Sequence, residues 1–279
     1  MNINIDIKLE PYGKICYWGN YGEAKGIILL IHGLLANCQW FTPLTAELAR
    51  LGYYCLSFDM PNIANFNTFS ESIDQVEIAN DCRYQDWLTY TWKIIKNIQK
   101  TYPDKPLYIL GNSLGSVITT NVLNNCNNEI KGVVLLSAGF NGNKQKFNLK
   151  YVVSTLLTCF CFPEKLIELP YGMQLVTNNQ QILTNYSKEN FKIKAKILLE
   201  VLKLTKTTKV LSLNQRPLLM LLAQNDWIVD NQTNLAIFKN LKNKAKMLYV
   251  INNAYHDLIL AEYIDETVQK IDTFLTQIK

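Results

Sequence analysis

The chain has 279 residues with a globular composition, 48% hydrophobic and 18% charged, so it can form one large domain or two ordinary ones with a sizeable core. Seven scattered cysteines without a C-x-x-C pair, and only two histidines, argue against a zinc site and favour reduced thiols. Residues 139–212 contain 11 Lys and 4 Glu, a surplus of 7, whereas the rest of the chain sums to −2. The net charge of +5 therefore belongs to this segment, and a nucleic-acid-binding surface across the whole protein is not expected.

The first part of the chain alternates predicted strands and helices. Residues 26–31 form a continuous apolar run, which is typical of a strand buried on both faces of a mainly parallel sheet. The other predicted elements are edge strands over 3–9 and 14–18 joined by a turn at 11–13, a helix over 42–51, a strand over 53–58 and an aromatic helix over 80–102. This alternation indicates parallel strands with right-handed crossovers, and we expect the aromatic side chains to pack in the core.

The loop after the apolar strand begins His32-Gly33-Leu34. Gly33 allows the backbone to approach a bound molecule closely. We expect His32 to hydrogen-bond the backbone and order this loop, and not to act as a catalytic base.

Residues 106–123 read PLYILGNSLGSVITTNVL and contain a G-x-S-x-G motif between an apolar strand and a helix-favouring run. The chain must reverse in few residues, so we expect Ser113 in a strained conformation with small residues two positions before and after it. This turn would leave the Leu114 N–H near a helix N-terminus, where negative charge is stabilised. The alternative is an ordinary strand-to-helix turn, because the bare motif also arises by chance.

After a predicted strand over 132–137 the alternation stops. Residues 139–212 are predicted to form an inserted, mainly helical cap, and residues 1–138 and 213–279 are predicted to form the core. The cap contains an apolar run at 152–162 and a helical run with Ile193, Ile197, Val201 and Leu204 on one face. The lysines that accompany the helical run are Lys188, Lys192, Lys194, Lys196, Lys203, Lys206 and Lys209.

The alternation resumes in the last quarter of the chain. The predicted elements are a strand over 217–222, a helix over 231–241, a strand over 245–251 and a final amphipathic helix with Ile264, Val268, Ile271 and Leu275 on one face.

Three residues are candidates for nucleophilic catalysis. A serine hydroxyl is a weak nucleophile at neutral pH and needs a base within about 3 Å, itself oriented by an anion. His256 follows the last predicted strand, and Asp226 lies four residues beyond the apolar run that ends at Leu222. The chain order Ser113, Asp226, His256 is the order that a sheet with a serine elbow requires.

Other acids could in principle orient His256. Asp230 stands where a helix N-cap is expected, and capping explains it. Asp257 is the sequence neighbour of His256, which makes the approach to Nδ1 awkward. Asp59 precedes Ser113 and would break the chain order, so Asp226 is preferred.

Taken together, these motifs resemble the α/β-hydrolase superfamily, and most closely its monoacylglycerol lipase and lysophospholipase branch. The resemblance covers nearly the whole chain except the cap and rests on His-Gly after the third strand, F-D-x-P, Y-P-D-K-P, G-N-S-L-G, Q-N-D-W-I-V-D and N-A-Y-H, in that order. It implies that Ser113 is the nucleophile, His256 the base and Asp226 its orienting acid. It also implies an oxyanion hole formed by the Leu34 and Leu114 amides.

Two departures from that branch affect the expected substrate and leave the reaction type unchanged. Asn112 stands where the branch usually has His, and residues 61–64 read Pro-Asn-Ile-Ala in place of a Gly-His-Gly-like turn.

The resemblance therefore implies a serine ester hydrolase that acts on lipid-like substrates, monoacylglycerol or lysophospholipid, with no cofactor and no metal. An acyl thioesterase or short-chain carboxylesterase would use the same residues. A peptidase of this fold has no specific support in the sequence, and a catalytically silent binding protein would usually lack part of the triad. Reactions that need a carboxylate nucleophile in this turn are disfavoured because the position is occupied by Ser113.

The basic cap also suggests contact with an anionic membrane surface, although Lys194–Lys209 would equally suit a solvated helix face. The N-terminus lacks the apolar segment of a signal peptide, and no apolar run approaches membrane-spanning length. We therefore expect a cytoplasmic protein, peripheral to a membrane if the basic cap binds one, whose partner is a small-molecule acyl ester or lipid substrate.

Overall fold

The computed structural model describes residues 5–10, 13–61, 63, 82–125, 130–185 and 190–278. Its strands are β1 (Ile5–Glu10), β2 (Gly13–Trp18), β3 (Gly26–Ile31), β4 (Tyr53–Phe58), β5 (Leu107–Asn112), β6 (Ile130–Leu136), β7 (Leu166–Gly172), β8 (Asn190–Lys194), β9 (Leu218–Ala223) and β10 (Lys246–Ile251). Its α-helices are α1 (Thr42–Arg50), α2 (Tyr84–Thr101), α3 (Leu114–Val122), α4 (Leu149–Cys161), α5 (Met173–Val176), α6 (Gln180–Asn185), α7 (Ala195–Thr207), α8 (Asn231–Asn240) and α9 (Ile264–Gln277).

The main sheet has the strand order β1-β2-β4-β3-β5-β6-β9-β10 in the described residues. The pairs β1–β2 and β2–β4 are antiparallel, and all later pairs, from β3–β4 to β9–β10, are parallel. This arrangement confirms the predicted α/β-hydrolase fold. The carboxyl ends of the parallel strands share one edge of the sheet, so the loops that follow them meet there.

An apolar layer covers each face of the sheet. In β3, Ile27 and Leu29 face one layer, whereas Ile28 and Leu30 face the other, and all four are buried. Helices α2 and α3 contribute to the first layer, and α1 and α9 to the second. Burial on both faces explains why the strand reads as a continuous apolar run.

The predicted elements of the core agree with the observed ones within a few residues. Helix α2 is observed from Tyr84, and residues 80–81 of its predicted start lie outside the described residues. Trp87 is buried as expected, but Trp92 is 37% exposed, so the aromatic face of α2 is only partly core. The Trp92 ring lies on the outer side of α2, with Lys96 Nζ 5.9 Å from the ring centroid.

Residues 139–212, which are predicted to be an inserted cap, contain β7 and β8 in addition to helices. These strands form a two-stranded antiparallel sheet that the sequence did not predict. The proposed helical position of Ile193 is wrong, because Ile193 pairs with Ile167 in this sheet and α7 begins only at Ala195. Lys194 is extended, with φ −62° and ψ 136°, which separates the strand from the helix. The assignment of this segment as a separate cap stays a prediction.

The apolar run at 152–162 lies in α4, but most of its side chains do not face the protein. Only Thr155 and Cys159 of α4 are fully buried. We call the opposite side the α4 apolar face: it consists of the exposed side chains Leu149, Val153, Leu156, Leu157, Phe160 and, just beyond the helix, Phe162.

Within the described ranges, no helix combines the length and apolar character needed to cross a membrane. The described cysteines are all free thiols, and Cys126 lies outside the described residues.

Candidate active site

Ser113 occupies the tight turn between β5 and α3, at the carboxyl edge of the sheet. Its backbone has φ 53° and ψ −117°, the strained conformation expected for a serine elbow. A Cβ atom on Gly111 would lie 2.6 Å from the Gly115 carbonyl oxygen, and one on Gly115 would overlap the Ile31 carbonyl group. Glycine is therefore required on both sides of Ser113 because backbone atoms pass too closely for a side chain.

The structure brings Ser113, His256 and Asp226 together from three separate loops. His256 Nδ1 lies 2.8 Å from Asp226 Oδ2, and His256 Nε2 lies 2.9 Å from Ser113 Oγ. A carboxylate can only accept, so Nδ1 carries the proton and donates to Asp226. Nε2 is thereby left to accept a hydrogen bond from the Ser113 hydroxyl, the arrangement needed to activate a nucleophile.

The electrostatic surroundings of His256 favour its protonated form. Burial alone would lower the pKa of His256, but the Asp226 charge and hydrogen bond, with a further contribution from Asp257, raise it above the ordinary value. An imidazolium formed by proton transfer from Ser113 would be stabilised by the same charges.

The Asp226 carboxylate is held by backbone amides as well as by His256. Its Oδ1 accepts hydrogen bonds from the Ile228 and Val229 amides, at 2.9 and 3.0 Å. These bonds fix the carboxylate within a turn after β9 and leave Oδ2 directed at the imidazole.

The three alternative acids have other partners. Asp230 Oδ1 accepts from the Gln232 amide and caps α8, as predicted. Asp59 Oδ1 accepts from the Cys38 amide at 2.7 Å. Asp257 Oδ2 accepts from Trp40 Nε1 at 2.6 Å, and burial raises the pKa of its carboxyl.

The Trp40–Asp257 hydrogen bond was not anticipated from the sequence. It connects the short helical turn Cys38–Phe41 to the residue directly after His256. Because the two residues are 217 positions apart in the chain, no local pattern indicates the contact.

His32 makes the backbone contacts predicted for it. Its Nδ1 donates to the Gly33 carbonyl at 2.7 Å, and its Nε2 accepts from the Met60 amide at 2.9 Å. Burial lowers the pKa of His32 despite the nearby Asp59 charge, which favours the neutral ring with one donor and one acceptor. His32 thus ties the loop after β3 to the loop after β4.

The loop after β3 passes directly beside Ser113. A Cβ on Gly33 would lie 3.1 Å from Ser113 Cβ and 3.6 Å from Ser113 Oγ, so the backbone at Gly33 runs along the nucleophile candidate. Leu114 is the first residue of α3, where an amide has no carbonyl partner inside the helix. The oxyanion-hole role of the Leu34 and Leu114 amides stays a prediction.

The first departure from the hydrolase pattern, Asn112, is buried at the end of β5. The second is the segment 61–64, in which Asn62 and Ala64 lie outside the described residues. The described part of the chain contains no group of three or more His, Cys, Asp or Glu side chains that could hold a metal ion.

Comparison with known proteins identifies a family model that covers most of the chain. The family model described as serine aminopeptidase, S33 (Hydrolase_4) matches residues 22–262. The monoglyceride lipase of Mus musculus is 21% identical over 267 residues, which cover 93% of this chain and 85% of that protein.

Solved structures are similar over the full length of the chain. A soluble variant of the monoglyceride lipase of Saccharomyces cerevisiae, in complex with a substrate analog, superposes with a TM-score of 0.75 at 15% identity and covers 100% of this chain and 96% of its own. The monoacylglycerol lipase of Paleococcus ferrophilus gives a TM-score of 0.71 at 18% identity, with 100% of both chains covered. At these identities the likeness shows the shared fold.

Proposed function

The chain belongs to the serine aminopeptidase S33 family of α/β hydrolases and is a serine hydrolase, and we propose that it cleaves carboxylic esters of lipids through an acyl-serine intermediate. The observation that supports this reaction is the continuous hydrogen-bond chain from Ser113 Oγ through His256 to Asp226. In this proposal Ser113 is the nucleophile, His256 the general base and Asp226 the acid that orients it.

In the first half of the reaction, Ser113 Oγ attacks the ester carbonyl carbon while His256 Nε2 takes the hydroxyl proton. The negative charge that develops on the carbonyl oxygen would be stabilised by the Leu34 and Leu114 amides, each worth roughly 3 kcal/mol in comparable sites. His256 then protonates the departing alcohol, and the C–O bond of the ester breaks.

In the second half, His256 takes a proton from water, and the water oxygen attacks the acyl-serine carbonyl. His256 returns the proton to Ser113 Oγ as the carboxylic acid leaves. The chain's own side chains supply every proton transfer in this scheme.

For the substrate, we propose a monoacylglycerol or a lysophospholipid. The monoglyceride lipases among the relatives support an acyl chain in the substrate. An acyl thioester or a short-chain ester would react at the same serine, and the S33 family description makes an aminoacyl amide a further alternative.

A substrate panel tests this choice. We expect the purified protein to hydrolyse a long-chain monoacylglycerol or lysophospholipid with a kcat/KM at least about 10-fold above that for an acetyl ester, because each additional buried methylene strengthens binding. The panel also contains an acyl thioester and an aminoacyl anilide as controls. A higher kcat/KM for either control would show that the main activity is that of a thioesterase or a peptidase and not lipid ester hydrolysis.

We also propose that the α4 apolar face contacts a lipid surface with anionic headgroups. Phe160 is 89% and Leu157 62% exposed, which is unusual for large apolar side chains on neighbouring positions of one helix. Exposed lysines lie within a few residues of the face along the chain, at Lys144, Lys150 and Lys165. An apolar helix face with lysines near it in the chain suits insertion at an anionic bilayer interface.

The basic segment around α7, whose lysines suggest membrane contact in the sequence, has fewer lysines without an acidic partner than its sequence implies. Lys194 and Lys196 both pair with Glu164, at 3.2 and 2.5 Å, and Lys203 pairs with Glu200 at 2.6 Å. The apolar face of α4 therefore carries more of this proposal than α7 does.

The lipid contact predicts a specific loss of vesicle binding. Leu157→Glu combined with Phe160→Glu should lower partitioning onto anionic phospholipid vesicles at least about 10-fold, because two apolar side chains no longer enter the interface. Co-sedimentation measures this, and hydrolysis of a water-soluble ester should be unchanged.

The matched control is Leu211→Glu, because Leu211 is 69% exposed on a different element, the turn Val210–Gln215. This variant should bind vesicles like the wild type. Equal vesicle binding by the double variant and the wild type would contradict the proposed face.

A further inference from the structure

The turn after β6, Ser137-Ala138-Gly139, packs directly behind Ser113. Ser137 is fully buried and has φ 41°, a conformation that costs free energy for a residue with a side chain. The Gly139 amide donates to the Ser113 carbonyl oxygen at 3.0 Å. A Cβ on Gly139 would lie 3.1 Å from Ser113 C and 3.2 Å from Leu114 N, so this turn contacts the Ser113–Leu114 peptide group itself.

That peptide group contains the Leu114 N–H, the proposed oxyanion donor. In a trans peptide the C=O and N–H bonds point in opposite directions. The Ser113 carbonyl accepts from both the Gly139 and the Ser116 amides, at 3.0 Å each, on the side of the protein interior. These two bonds set the peptide plane and therefore the direction of the Leu114 N–H on the other side.

Asn234 holds this turn in place. It is the one fully buried residue of α8, every residue of which the structure describes. Its Nδ2 donates to the Ala138 carbonyl at 2.9 Å, in the middle of the strained turn. A buried amide costs free energy unless it is hydrogen-bonded, so an apolar residue would serve better here if packing were the only requirement.

We propose that Asn234 is a positioning residue for the oxyanion hole: by bonding Ala138 it fixes the turn that sets the direction of the Leu114 N–H. This inference rests on the proposed function, since it assumes that the Leu114 amide stabilises the reaction's anion. A displacement of that donor by a fraction of an ångström weakens its bond to the transition state.

Helix α8 begins directly after the loop that carries Asp226, so it links the turn after β6 to the acid of the proposed triad. The Asp230 side chain caps the N-terminus of α8, and the backbone amide of Asn234 donates to the Asp230 carbonyl at 3.2 Å. The chain after the turn is tied to the same loop, through Asp230 N to Asn141 O and Asn143 N to Ile228 O, both 2.9 Å. One helix thus sets the relative placement of Asp226 and the Leu114 donor.

The test compares Asn234→Leu with Asn243→Leu. Asn243 is also buried, and its Nδ2 donates to the Arg216 carbonyl at 2.6 Å, but it lies near the amino-terminal ends of the strands, away from Ser113. In both residues Oδ1 is buried without a partner among the described residues. Asn243 Nδ2 also donates to the Leu213 carbonyl, so the control substitution removes one more hydrogen bond than Asn234→Leu does. Asn234→Ala, which removes the same donor without added bulk, is the second variant.

We expect Asn234→Leu and Asn234→Ala to lower kcat roughly 30-fold with KM within about twofold, a smaller loss than deleting an oxyanion donor outright. The rate of labelling by an alkyl fluorophosphonate should fall by the same factor, because its adduct also places a charged oxygen at that position. The acidic limb of the pH–rate profile, which reports His256, should not move. Asn243→Leu should lose thermal stability and keep its kcat within about threefold.

Activity and labelling of both Asn234 variants equal to those of Asn243→Leu, below the unfolding temperature, would overturn the positioning role alone. Absence of labelling in the folded wild type would overturn the proposed function and this inference with it. A rise in KM with unchanged kcat would also overturn the inference, since it would assign Asn234 to substrate binding.

Discussion

Replacing Ser113 by alanine is expected to lower kcat for ester hydrolysis by about 10⁶-fold and to abolish fluorophosphonate labelling. The reason is that Ser113 Oγ, at 2.9 Å, is the one hydrogen-bond partner of His256 Nε2 among the described residues, so no other described nucleophile would be activated by this proposed base. Activity against a monoacylglycerol and gel fluorescence after probe treatment measure the loss. The variant should remain folded, because alanine removes only the hydroxyl.

The matched control is Ser57→Ala. Ser57 is a buried serine in β4 whose hydroxyl donates to the Leu30 carbonyl at 3.0 Å, away from the triad. Its variant should be labelled as the wild type is. Residual hydrolysis by Ser113→Ala within 100-fold of the wild type would show that another group is the nucleophile.

Asp226→Asn should lower kcat by about 10⁴-fold and also change the pH dependence of the reaction. The wild-type base must be neutral, so kcat/KM falls as the pH decreases through the pKa of His256. Because Asp226 raises that pKa against the effect of burial, its loss should lower the pKa and shift the acidic limb to lower pH. A pH–rate profile of kcat/KM measures both effects.

Asp257→Asn tests whether any negative charge near His256 has the effect on kcat that we expect of Asp226. Asp257 also contributes to the raised pKa of His256, but its carboxylate bonds Trp40 and the Ile259 amide. We expect a kcat within about 10-fold of the wild type and a smaller shift of the acidic limb. A larger loss of kcat from Asp257→Asn than from Asp226→Asn would show that Asp257, and not Asp226, orients His256.

Much of the fold could be predicted because the main signals are local. The apolar runs of β3 and β9 indicate strands buried on both faces, and the glycines around Ser113 mark a turn where backbone atoms nearly touch. The order of the triad follows from the order of the strands.

The parts that were missed depend on contacts distant in sequence. The segment Phe-Lys-Ile-Lys of β8 alternates and also fits one helical turn, so pairing with β7 decides its structure. The apolar run at 152–162 does not reveal which of its side chains face solvent. Asn234 could have been noticed as a polar residue amid the apolar positions of α8, but its partner Ala138 is 96 residues away.

The edge position of β10 has a consequence for how the protein loses activity. Among the described residues its one neighbour in the main sheet is β9. Four of its six residues are partly buried and only Ile251 is fully buried, and His256 lies five residues beyond it. Strands at the edge of a sheet open more readily in the native state than central strands do. The proposed general base thus follows an edge strand, whereas Ser113 follows a central one. Fraying at this border would disable catalysis while most of the molecule remains folded.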